Sequence, residues 1–134
     1  MKRIPLIKFI PAIIWFVIVL VLICIPGADI TGLDSWIYKI HPDKWLHATM
    51  FGVMCWLFNF PFYKSDWNNE KKVKIFIFIS LLVCLWGFLT ECIQLYVPGR
   101  DFDLLDWGAD CLGVFLAFII QIRKNNLSAT TSKR

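Results

Sequence analysis

Charge is scarce in this sequence. Asp, Glu, Lys and Arg make up 18% of its 134 residues and are missing altogether from several long stretches. Gly-rich phosphate loops, internal repeats and nucleic-acid-binding motifs are also absent, which removes the P-loop, solenoid and nucleic-acid classes. The five cysteines, Cys24, Cys55, Cys84, Cys92 and Cys111, show no C-x-x-C or Cys/His spacing, so neither a zinc site nor a disulfide framework is indicated. They read as small buried apolar residues, with Cys92 and Cys111 the one pair placed to meet.

What the chain has in abundance is apolar surface. Hydrophobic residues make 58% of it, aromatics 16%, and the mean hydropathy is +0.63. That exceeds what a soluble domain of this length carries, and a lipid environment accounts for the excess. A membrane span takes about 20 residues of helix. The pattern predicts four: residues 6–25, 44–60, 73–96 and 104–122. Lys2, Arg3 and Lys8 before the first run imitate a signal peptide, but the run is long for one, contains Pro11, and is followed by three more spans. The expectation is an all-α, four-transmembrane-helix bundle over residues 1–124, with a basic cytoplasmic tail, disordered or surface-lying, over 125–134.

Orientation follows from the loops. With the N-terminus inside, Lys2, Arg3, Lys8, Lys64, Lys71, Lys72, Lys74, Arg123, Lys124, Lys133 and Arg134 are cytoplasmic, and only Lys39, Lys44 and Arg100 are external. Retention of basic loops inside therefore places both termini in the cytoplasm. Trp36 and Tyr38 suit the outer interfacial belt.

Three segments carry ionisable side chains where the helices meet the outer face. The second helix opens Asp43-Lys44-Trp45-Leu46-His47, with Asp43, Lys44 and His47 on adjacent parts of one face. The third ends Glu91-Cys92-Ile93-Gln94 before Pro98-Gly99-Arg100, and a carboxylate so near hydrocarbon is costly unless it is paired, protonated or facing a wet cavity. In the fourth, the uncharged run from Cys111 to Ile122 is too short to span, so the helix must include Asp106 and Asp110. At about 100° per residue, Asp103, Asp106, Asp110 and Gly113 share a sector of roughly 80°, which points inward with Gly113 allowing close helix approach. Such a site could hold an anion through Lys44 and Arg100, perform acid–base chemistry through His47, Glu91 and Asp106, or bind a hard divalent ion, with Gln94, Asp103 and Asp110 as further binding residues.

Asp43-Lys44-x-x-His47 with Phe51, Glu91-x-x-Gln94, Pro98-x-Arg100 and Asp106-x-x-x-Asp110-x-x-Gly113, in this order between hydrophobic runs, resemble the VanZ-like family of small bacterial membrane proteins. The family usually has Asn where this chain has Asp110, so the site here is more acidic. The resemblance implies a multi-pass protein of the bacterial inner membrane, with an outward-facing polar site and a link to the cell envelope and tolerance of the glycopeptide teicoplanin. It does not supply a reaction, a metal or a cofactor. An enzyme working on a lipid-linked or cell-wall precursor, a binding or shielding protein and a structural subunit all stay open.

Overall fold

A computed structural model describes residues 4–26 and 42–131 of the chain. The predicted interfacial residues Trp36 and Tyr38, and the basic residues Lys2, Arg3, Lys39, Lys133 and Arg134, lie outside them. Every regular element among the described residues is helical.

The chain opens with a short 3₁₀ turn, Leu6–Phe9, that runs into α1, Ile10–Ile23. Pro11 sits in the first turn of α1 rather than inside a continuous helix. That is where the missing amide of proline costs nothing, because no carbonyl one turn earlier needs it. The helix stops at Ile23, two residues before the expected end, in a turn closed by Cys24 N donating to Val21 O at 3.1 Å.

α2 spans Pro42–Tyr63, with Asp43 in its first turn, where its charge complements the positive end of the helix dipole. α3 spans Asn69–Gln94. It starts four residues earlier than the apolar pattern indicates, because Asn68 caps it: the Asn68 side chain accepts a hydrogen bond from Lys71 N at 3.0 Å. It ends at Gln94, and the turn beyond it passes through Gly99 at φ 73°, a left-handed conformation that favours glycine. α4 spans Leu104–Thr131, so the segment expected to be a disordered tail continues as helix for seven residues, from Asn125 to Thr131. Asn125 is buried and donates to Asn69 Oδ1 at the start of α3, while Asn69 Nδ2 donates to Asn126 Oδ1 at 3.2 Å. These amide bonds give the last turns a partner that polarity in the sequence concealed.

α2 and α4 make the most extensive pairing in the bundle, and α3 packs against both. Their backbones approach most closely at Gly113, where a Cβ would lie only 1.9 Å from Ala48 O. α1 lies to one side and is tied on by Trp15 Nε1 donating to Met50 O at 2.9 Å and by the Phe16–Trp86 ring contact. Phe51, Met54, Val83 and Val114 fill the interior. Large apolar side chains such as Leu81, Leu85, Leu112 and Phe115 point outward and are exposed, the arrangement expected when the surrounding medium is itself apolar.

Among the described residues, three helical stretches are long and apolar enough to cross a membrane: Leu6–Ile23, Asn69–Gln94 and Leu104–Leu127. α2, expected as a span in its own right, falls short of that measure. Asp43, Lys44, His47 and Asn59 dilute its apolar content, and of these His47 and Asn59 are turned into the bundle and buried.

Candidate functional site

The polar residues singled out in the three segments meet at one end of the bundle, where α2 and α4 begin and α3 finishes. Helix direction explains the convergence: two antiparallel neighbours bring the last turns of one beside the first turns of the others.

His47, on the second turn of α2, is 6% exposed. Its Nδ1 lies 3.0 Å from Asp110 Oδ1 on α4, and Asp110 is fully buried. An ionised carboxylate can only accept, so Nδ1 is the donor in this contact. Nε2 faces Asp106 Oδ2 at 4.0 Å, beyond hydrogen-bond distance. Glu91, fully buried near the end of α3, approaches His47 Nδ1 to 3.9 Å through Oε1. Its Oε2 accepts from Asp103 N at 3.1 Å. With the Gln94 amide oriented so that Nε2 turns to Glu91, it donates to Oε1 at 3.1 Å and Oε2 at 3.3 Å. Gln94 therefore positions Glu91 from one turn along the same helix.

Lys44 occupies the mouth of this cluster. Its ammonium donates to Asp106 Oδ1 at 2.7 Å and to Asp103 Oδ2 at 2.8 Å, with Asp43 at 3.4 Å. A lysine held in this way neutralises neighbouring carboxylates, so the role expected for it, holding an external anion, has to compete with three acids of its own chain. Asp103 does two things. Its Oδ1 accepts from Leu105 N at 2.8 Å, capping α4, while the Lys44 ion pair holds its carboxyl below the usual aspartate range. The capping function was hidden in the sequence because Asp103 looked like one more member of the acidic stripe. Arg100 is placed differently from the rest: it sits on the exposed turn after α3, where Nε donates to Ile25 O at 3.5 Å, and it makes none of the cluster's ion pairs.

The charge balance of the cluster is thus strongly negative. Among the described residues Lys44 is the one lysine or arginine that pairs with the acids of the cluster, Asp43, Glu91, Asp103, Asp106 and Asp110. The amino-terminal ends of α2 and α4 offset part of this, since each helix presents partial positive charge there. One nitrogen of His47 and one oxygen each of Glu91 and Asp106 come within 4.8 Å of one another, a spacing from which a cation could be held.

Small residues make the convergence possible. A Cβ on Gly87 would lie 2.9 Å from Asp110 Oδ2, so α3 must carry glycine where it passes the carboxylate. That oxygen has no hydrogen-bond partner. Gly113, three residues beyond Asp110, lets α4 lie close enough to α2 for Asp110 to reach His47.

A second buried polar group, which the sequence reading did not single out, lies further along the bundle. Asn59 donates to Gln121 Oε1 at 2.9 Å, and Gln121 Nε2 donates to Trp56 O at 3.0 Å. These neutral amides join α2 to α4 and serve as interhelical glue. The cysteines also meet differently from expectation: Cys84, not Cys92, lines one cavity together with Cys111. No family model, curated protein or solved structure matches the chain.

Proposed function

We propose that this chain is a VanZ-like, multi-pass protein of the bacterial cytoplasmic membrane. In this reading it has four spans, both termini are cytoplasmic, and the His47 cluster opens to the outer face, where it binds or acts on a lipid-linked or cell-wall precursor. The observation that carries the reading is the buried His47–Asp110 pair, with Glu91 and Asp106 beside it, at the end of helices of membrane length. Carboxylates at such a depth are expensive, and packing alone would be served better by neutral amides like those of Asn59 and Gln121. The site is open at its Lys44–Asp103 edge, where 41% of the Asp103 side chain is exposed. That edge fits a ligand whose polar head enters from the interface while its tail stays in lipid.

Glycopeptide tolerance in a host expressing matched amounts of each variant tests this, teicoplanin against vancomycin. Glu91→Gln and Asp106→Asn keep most hydrogen bonds and relieve charge repulsion, so both should accumulate and melt like wild type. An amide neither takes up a proton at neutral pH nor ligates metals well, so both should lose the phenotype. Full tolerance in both variants would overturn carboxylate chemistry at this site and leave a shielding or structural role.

A further inference from the structure

We propose that His47 Nε2, Glu91 and Asp106 form a binding site for one divalent transition ion, with Zn2+ or Mn2+ as its occupant. Three independent features lead to it. The donor set is mixed, an imidazole and two carboxylates from three different helices, with one ring nitrogen of His47 and one oxygen each of Glu91 and Asp106 within 4.8 Å of one another. The imidazole is also prepared for the task. Asp110 engages Nδ1 at 3.0 Å, the carboxylate–histidine arrangement that fixes the tautomer of metal-bound histidines and raises their basicity. Nε2 faces Asp106 Oδ2 across 4.0 Å, and an ion between the two would bridge them.

The third feature is charge. Lys44 alone cannot balance Glu91, Asp106 and Asp110, and the protein offers the cluster no second lysine or arginine among the described residues. A divalent ion brings the missing positive charge to the place where the carboxylates are most deeply buried. Ligands around one ion at bond lengths of about 2.0–2.2 Å stand roughly 3.3–3.5 Å apart in tetrahedral geometry. The donors therefore need to close by up to about 1.5 Å, within the reach of χ rotations in Glu91 and Asp106. Asp106, 15% exposed along its side chain, supplies the path by which the ion enters.

This assignment stands on the cluster's own geometry. Its bearing on function rests on the envelope reading above: an acidic site repels a phosphate or carboxylate headgroup, and an ion with open coordination positions turns repulsion into recognition.

Untagged full-length protein in nanodiscs, stripped with chelator and titrated with Mn2+, tests the site directly. Saturable binding of one ion per chain is expected, displaced by Zn2+, with imidazole-nitrogen coupling in the pulsed EPR spectrum of the bound Mn2+. The coupling should vanish in His47→Gln and persist in His41→Gln. Glu91→Gln and Asp106→Asn should weaken binding by at least about tenfold, and Asp110→Asn by about 10–100-fold through the loss of the carboxylate charge that raises the basicity of His47. Asp66→Asn, at the other end of the bundle, should change nothing. No saturable binding, or a spectrum without imidazole coupling in the wild type, would overturn the site, and neither readout depends on any variant folding. Binding undiminished by Glu91→Gln and Asp106→Asn would also overturn it. Stoichiometric binding combined with unaltered glycopeptide tolerance would support the ion site while removing the envelope reading.

Discussion

Asp110 Oδ1 meets His47 Nδ1 at 3.0 Å across the α2–α4 interface, while Asp110 Oδ2 lies against Gly87 with no donor to bind. One oxygen is structural and the other is a liability.

Replacing Asp110 separates the two. Asp110→Asn keeps an acceptor for Nδ1–H and removes one of several crowded negative charges, so its thermal stability in detergent should match or exceed that of wild type. Asp110→Leu strands the buried imidazole donor and should cost about 1–3 kcal/mol. An equal loss for Asn and Leu would show that charge, not the hydrogen bond, secures His47.

The two glycines of α4 should respond in opposite ways. At Gly113 a methyl group would sit 1.9 Å from Ala48 O, so Gly113→Ala must push α4 away from α2 and should destabilise by at least about 2 kcal/mol. At Gly108 a Cβ meets nothing within 4 Å, and Gly108→Ala should be neutral or gain up to about 1 kcal/mol from helix propensity. Unfolding of both variants in the same detergent compares them, and equal effects would contradict the close approach.

Topology is open to a direct check, motivated by the eleven-to-three division of Lys and Arg between the two sets of loops. Reporters fused after Asp66 and after Lys133 should read cytoplasmic, and one after Asp34 external. An external signal at Lys133 would remove the four-span arrangement.

Much of the cluster was legible in the sequence because charged residues in apolar helices are conspicuous, and helix direction alone sends residues 44–47, 91–94 and 103–110 to one end. What escaped was pairing. Lys44 finds its carboxylates 59 and 62 residues away, at Asp103 and Asp106, and no local spacing announces that an ammonium will be spent inside the chain. Arg100 matched a motif, yet its position on an exposed turn depends on how α3 unwinds after Gln94. Asn59 and Gln121 are single neutral amides in apolar runs and acquire meaning only against each other. The continuation of α4 past Ile122 escaped for the same reason, since Asn125 and Asn126 look like tail until Asn69 is beside them.

The modest apolar content of α2 bears on how the protein is made. A segment that carries Asp43, Lys44, His47 and Asn59 partitions into lipid less readily than its neighbours, and the groups that compensate for it, Asp103, Asp106, Asp110 and Gln121, all lie on α4 or at its cap, which leaves the ribosome after α2 and α3. In the four-span arrangement α2 must therefore wait at the translocon or the membrane surface, its lysine and imidazole still hydrated, until α4 arrives. Insertion and assembly of these two helices then become a single event, and any truncation before Leu104 leaves α2 without the partner that makes hydrocarbon tolerable.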